Sequence, residues 1–320
     1  MLGLVVIVAT ALLTNTVGPY NRLRTIVVLS HAPVGQRVFE GLRDRLAELG
    51  WRDGHTVRFV HPPPQPTPAA LRAEAERVIS SDTALVVTLT TPTALAIHDL
   101  VAARKVPLLL AASSDPVATG LVSGLHHPGQ DITGVAFALQ EPHRLEMLRR
   151  LIPNARTIWV PHDGSDPSPV AALARLRPAA DKLGLTLLTT DIRGPAALAQ
   201  ALDALPHGID AIFIPPDASL ASNLKAIAAA ASVRGLAVTV PHAEGVAQGA
   251  LFSYGFDLYA VGWQAARLAD QILSGIPAAD LPIESADMEL TLNLGIADHL
   301  DLPIPDDLLR HANIVGRPGE

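Results

Sequence analysis

Six short polar clusters interrupt a chain otherwise rich in Ala, Leu and Val: Ser30-His31, Thr90-Thr91-Pro92-Thr93, Ser113-Ser114-Asp115, Pro161-His162-Asp163, Pro215-Pro216-Asp217-Ala218-Ser219 and Pro241-His242-Ala243-Glu244. They consist of small hydroxyls and single charges rather than paired catalytic groups. The Thr90–Thr93 cluster is suited to an anion, because it stands at a strand-to-helix junction where the first helical amides are free and hydroxyls add donors. Ordinary helix capping by Thr91 is the alternative use of the same residues. Asp217 closes a strand and can meet an ammonium group in a cleft, or serve as the N-cap of a helix over 219–233. Asp115, directly before Pro116, is expected to cap a short helix. Other chemistry is missing. No Gly-rich phosphate loop with its Lys, no G-x-S-x-G elbow and no helical His pair with an intervening Glu occurs in the sequence. His126-His127 are adjacent and diverge in most backbones, and His162-Asp163 has the form of a turn dipeptide. With no cofactor or metal motif, the residues favour binding over catalysis.

The elements that must carry these clusters are visible in the pattern of the chain. Short β-branched runs alternate with helix-length Ala/Leu segments, the signature of βαβ units and a parallel sheet. Strands are expected at 25–30, 56–61, 84–89, 107–111 and 132–137, with helices at 35–49, 68–80, 92–103 and a short one after Pro116. A second series places strands at 157–160, 185–190, 211–214, 237–240 and 251–254, with helices at 142–151, 169–183, 195–205 and 219–233. A helix over 258–274 is placed to cross back to the first series, and the segment from Leu290 onward is too short to fold alone. In open parallel sheets, ligands sit beyond the carboxyl ends of the strands, where the clusters fall. His31, His242 and Glu244 face the cleft by this topology, with a plain surface position as the alternative. The Pro-rich run His61–Pro68 reads as a stiff polyproline II loop.

Composition agrees with this layout. At 320 residues the chain is long for a single core, so about two domains are expected. It is 49% hydrophobic but only 4% aromatic, so the interior must be built mostly from aliphatic residues. Lys+Arg 24 against Asp+Glu 31 leaves a net charge of −7 with no basic run, which argues against nucleic acid as a partner. The absence of Cys excludes disulfides, thiol catalysis and Cys-ligated zinc. Leu2–Leu13 is an apolar run ended by Asn15, Thr16, Gly18 and Pro19. At about 12 residues it is short for roughly 30 Å of hydrocarbon but fits the core of a secretory signal. No Lys or Arg precedes Arg22, so a short anchor or a buried first strand stays open.

Several segments, in order, resemble one family. Phe39-Glu40-Gly41-Leu42 through Glu48-Leu49-Gly50-Trp51, Thr91-Pro92-Thr93-Ala94, Asp115-Pro116-Val117 with Gly120-Leu121-Val122, Ser274-Gly275 with Pro277–Pro282, and Leu302-Pro303-Ile304-Pro305 are similar to stretches of the ABC transporter substrate-binding proteins of the type I periplasmic class that bind tryptophan and related amino acids. The resemblance covers roughly 24–312. It implies an α/β fold of two doubly wound, Rossmann-like lobes with a hinge and central cleft. Residues 21–137 plus 257–285 would form one lobe and 138–256 plus 286–320 the other, after a signal or anchor over 1–20. The hinge is expected at 137–141 and 255–258. The resemblance further implies an exported monomer that captures an amino acid and hands it to the membrane subunits of an ABC importer. The ligand carboxylate would meet Thr90, Thr91, Thr93, Ser113 or Ser114 and its ammonium Asp217, with His31, Asp115, His242 and Glu244 lining the cleft. Two features depart from the family pattern: Gly249-Ala250 stands where Gly-Gly is common, and the Pro-rich loop replaces a flexible charged one. A membrane-anchored sensor of the same fold and a doubly wound enzyme are the other readings.

Overall fold

The computed structural model describes residues 23–138 and 140–316. The expected signal or anchor over 1–20 therefore lies outside the described residues. The chain begins with β1 (Arg24–Leu29), α1 (Gly35–Glu48), β2 (Val57–Val60), α2 (Pro68–Val78), β3 (Thr83–Thr88), α3 (Thr91–Ala103), β4 (Leu108–Ser113) and β5 (Ile132–Ala136). It continues with α4 (Gln140–Leu151), β6 (Thr157–His162), α5 (Pro167–Leu183), β7 (Thr186–Asp191), α6 (Gly194–Asp203), β8 (Ala211–Phe213), α7 (Ala218–Ala221), α8 (Leu224–Val233), β9 (Ala237–His242), α9 (Glu244–Ala247) and β10 (Phe252–Phe256). It ends with α10 (Leu258–Leu273), a short 3-10 turn, β11 (Ile283–Ser285), β12 (Glu289–Asn293), α11 (Leu294–His299), α12 (Asp306–His311) and β13 (Ala312–Val315).

The strands form two sheets, of order β11-β5-β4-β3-β1-β2 and β13-β12-β10-β9-β8-β6-β7. All described pairings are parallel except β10 with β12. The apolar runs explain this. Ile26–Leu29 and Leu108–Ala111 are buried throughout, as strands covered by helices on both faces must be. Each sheet thus makes the core of one α/β lobe. Three stretches of chain join the lobes: β5 to α4, β10 to α10, and β11 to β12.

The first lobe is completed by α10, which reaches it only after the second lobe has been traversed. Val261, Ala265, Leu268 and Leu273 of α10 share one apolar core with Val38, Leu42 and Leu46 of α1. The two helices touch backbone to backbone. A methyl group at Gly41 would lie 2.0 Å from the Tyr259 carbonyl oxygen, and one at Gly262 would lie 1.9 Å from that of Val38. Only glycine permits this approach.

Two expected elements differ. The segment after Pro116 makes hydrogen-bonded turns rather than a helix. Asp115 Oδ1 does accept the Ala118 amide at 2.9 Å, but Gly120 at φ +77° turns the chain away after one turn. The helix expected over 219–233 is two helices, α7 and α8. Ser222 Oγ and Asn223 Nδ2 donate to the Ala218 and Ser219 carbonyls, both at 2.8 Å, and this side-chain competition breaks the ladder.

Candidate functional site

The carboxyl ends of both sheets face one cleft. On the first lobe the wall is the start of α3. Thr90 is extended (φ −153°, ψ 154°) and makes no side-chain cap, so the first amides of α3 stay unused within the helix. Its hydroxyl is held elsewhere, 2.7 Å from His31 Nδ1 and 2.7 Å from Thr93 Oγ1. Thr91 Oγ1 accepts the Ser114 amide at 2.9 Å and lies 3.3 Å and 3.4 Å from the Ser114 and Ser113 hydroxyls. The junction is therefore a fixed array of small donors tied to the ends of β1, β3 and β4. Burial pushes the His31 imidazole down to about 4 against the opposing pull of Asp163, so it is neutral at pH 7.

The facing wall, on the second lobe, is acidic. Asp166 caps α5, its Oδ1 accepting the Ser168 amide at 2.8 Å. Burial pushes its carboxyl up to about 7. The Ser168 hydrogen bonds work against that rise, and the negative charges of Asp217 and Asp163 add to it. Asp217 is 3% exposed and engages both oxygens: Oδ1 accepts the Leu220 amide at 3.0 Å and Oδ2 the Asp163 amide at 2.8 Å. Burial raises this carboxyl too, with the Leu220 and Asp163 amides opposing. His242, also 3% exposed, lines the same space, and neither ring nitrogen makes a hydrogen bond. Its Nδ1 lies 3.4 Å from Glu244 Oε2.

Between these polar ends the walls are apolar. Phe137 and Phe256, where β5 and β10 leave their sheets, stack at 4.0 Å with their planes 27° apart. Val38, Leu89, Pro216 and Leu258 complete the surface, and no Lys or Arg is among the lining residues. At the periphery Asp115 pairs across the lobes with Arg175 at 2.6 Å, and Arg175 also binds Glu141 of its own lobe at 2.9 Å. Such a site has two polar ends and an apolar middle. It can enclose an amphiphilic molecule with a cation at one end, an anion at the other and an apolar body between.

Thr90, Thr91, Ser114, Asp217 and His242 line this cleft. His31, Thr93 and Ser113 stand behind it as hydrogen-bonded support. Asp115 is spent on the interlobe ion pair, and Glu244 turns toward the hinge, where its Oε1 accepts the Leu258 amide at 2.8 Å. Sequence reasoning missed Asp166, Ser168, Phe137 and Phe256. The topological rule that located the other clusters also covers Asp166-Pro167-Ser168, which follow β6.

The chain is similar to known proteins in sequence and fold. The chain is 25% identical over 264 residues, 82% of its length and 76% of the relative's, to a tyrosine-binding protein of Clostridioides difficile (strain R20291). Its fold matches an ABC domain in complex with L-Trp from Streptococcus pneumonia at TM-score 0.84 and 24% identity, covering 91% of this chain and 98% of that one. Against the ligand-free, open structure of a substrate binding protein with adhesive properties from Clostridium difficile, the TM-score is 0.67 at 25% identity, with 91% and 98% covered. Among the described residues no helix is long and apolar enough to cross a membrane. A sequence model of the ABC transporter substrate binding proteins matches residues 23–315, so with its two lobes and enclosed cleft the chain belongs to that family of binding proteins rather than to an enzyme family.

Proposed function

We propose that this protein, exported and monomeric, encloses a free amino acid with an apolar side chain between its lobes and presents it to the membrane subunits of an ABC importer. The observation that carries this reading is the polarity of the cleft: free helix amides and hydroxyls on one lobe, buried carboxylates on the other, and stacked phenyl rings between. The ligand carboxylate rests at the start of α3, held by amides and by the Thr91–Ser114 hydroxyls. Its ammonium meets Asp217, whose two amide contacts fix the carboxylate in place. The side chain lies against Phe137 and Phe256. The tyrosine and L-Trp named for its relatives fit this description. The lower similarity to an open, ligand-free structure fits lobes that are drawn together.

Closure is a hinge motion on the three connecting strands of chain, and it hides the bound molecule from water. The test is calorimetry with L-tryptophan, L-tyrosine, L-phenylalanine and L-leucine, each paired with its carboxamide. A carboxamide puts a donor where donors already stand, so the acid is expected to bind at least tenfold more tightly, since charge-assisted hydrogen bonds are about twice as strong as neutral ones. Equal binding of acid and amide overturns the α3 assignment. No binding by any amino acid overturns the function.

A further inference from the structure

The lobe-2 wall presents two carboxyl groups to the cleft, and among the described residues no cation faces them from the lining. Asp217 already gives one oxygen to the Leu220 amide and the other to the Asp163 amide. Asp166 gives Oδ1 to the Ser168 amide and leaves Oδ2 without a backbone partner. Of the two, Asp166 therefore keeps more of its accepting capacity for a ligand. On the same lobe, His242 is buried with neither ring nitrogen hydrogen-bonded and lines the same space. The His242 imidazole has been taken out of water without being satisfied by the protein, which is the arrangement of a site completed by its ligand.

We propose that Asp166 binds the ligand ammonium together with Asp217, and that the empty cleft holds a proton on Asp166 which it exchanges for that ammonium. This rests on the amino-acid reading above and extends it. In the step, Asp166 gives its carboxyl proton to solvent, and the ligand's –NH₃⁺ takes its place as the positive partner of the resulting carboxylate. The exchange keeps the charge of the enclosed acidic pair constant. With Asp166 protonated the pair carries one negative charge, and with both carboxylates ionised the ammonium brings the group back to that same single charge.

The surroundings of Asp166 agree. Its own loop adds Asp163, and the β8 loop adds Asp217, both of which favour the protonated form. Asp191, the last residue of β7, spends its charge on Arg193 and on the Gly164 amide. From the first lobe, His31 feels the charge of Asp163 but is held neutral by burial. His242 faces the space from the end of β9. Desolvation of Asp166 is the leading cause holding its carboxyl near 7.

The experiment is calorimetry of the full chain with the amino acids named above, from pH 5 to 8.5, in phosphate and in Tris, whose different ionisation enthalpies count protons. For each amino acid that binds, affinity should be about 100-fold weaker at pH 5 than at pH 8, because one pKa unit corresponds to a tenfold change. About one proton should be released at pH 6 and almost none at pH 8.5. Asp166→Asn keeps the helix cap and should abolish both the release and the slope. Binding with no proton release at pH 6, or release undiminished in Asp166→Asn, overturns the exchange while leaving the amino-acid function intact. No binding by any amino acid at any pH overturns both. Should Asp166→Asn fail to fold, the wild-type proton count alone decides.

Discussion

Asp115 of the first lobe and Arg175 of the second approach to 2.6 Å, and the guanidinium that reaches across is braced from behind by Glu141 at 2.9 Å and 3.1 Å. The Glu141 side chain is 1% exposed and those of Asp115 and Arg175 are 14% and 17% exposed, so water screens the group only weakly. The Arg175–Glu141 half lies within one lobe and survives opening. The Asp115 half exists only when the lobes are together.

Asp115→Asn should therefore act on closure rather than on folding. A hydrogen bond to a charged group contributes about 1.5–3 kcal/mol, which sets the scale of the shift toward the open form. Ligand affinity should fall by about tenfold or more, given 1.4 kcal/mol per decade, and the ligand-free particle should expand in small-angle scattering. An unchanged radius and unchanged affinity would show the pair to be incidental to closure.

Asp217 holds two backbone amides as well as facing the cleft, so its replacement has two separable effects. Asp217→Ala leaves the Leu220 and Asp163 amides without their acceptor, at about 1–3 kcal/mol for each buried orphan. It also removes a partner of the ligand charge, at about 2–5 kcal/mol of affinity. Denaturant titration reads the first and calorimetry the second. Asp217→Asn retains an acceptor and should recover part of the stability while leaving the affinity low.

Two half-buried groups give the protein opposing pH dependences. The His31 imidazole titrates at about 4 instead of 6.5, so below pH 6.5 the unfolded chain takes up a proton that the native one refuses, and stability is lost as pH falls toward 4. The Asp166 carboxyl titrates at about 7 instead of 3.8, so between those values the native chain holds the extra proton, and stability is lost as pH rises toward 7. At 1.36 kcal/mol per pKa unit, the effects amount to about 3 and 4 kcal/mol and largely cancel. Asp217, raised as well, adds to the loss with rising pH. Relative to wild type, Asp166→Asn should gain stability with rising pH from about 4 to 6.5, and His31→Gln should lose it. Parallel curves for all three proteins would refute the assignment.

The α1–α10 contact should tolerate no side chain. Gly41→Ala or Gly262→Ala drives a methyl group into a carbonyl oxygen at 2.0 Å or 1.9 Å, and overpacking of this kind costs about 1–3 kcal/mol. Val38, whose carbonyl Gly262 meets, and Leu258, next to Tyr259, line the cleft, so ligand affinity should fall along with stability. Thermal melts and calorimetry on the same samples test both statements.

The strands were legible because Ile26–Leu29 and Leu108–Ala111 carry their burial in their composition, and the clusters were found because they follow such runs. Relations across the chain were not legible. Nothing near Asp166 shows that Asp217 will lie close enough to disturb its titration, and nothing near Glu244 shows that its partner will be the Leu258 amide. The stack of Phe137 on Phe256 depends on two strands from different sheets, separated by more than a hundred residues. Periodicity also overstated helix 219–233, because Ser222 and Asn223 fit its spacing while their side chains undo it.

The return of α10 to the first lobe has a consequence for synthesis. When a ribosome has released residues up to β10, α1 still lacks the helix that covers it, and Val38, Leu42 and Leu46 face water. The N-terminal lobe therefore cannot mature before its successor has largely emerged, and the successor in turn awaits β12 and β13. Each half is finished by chain made after the other has begun to fold. This interlacing couples their fates: the two lobes should unfold in denaturant as one transition, and chains stopped before residue 258 should be held by chaperones or degraded.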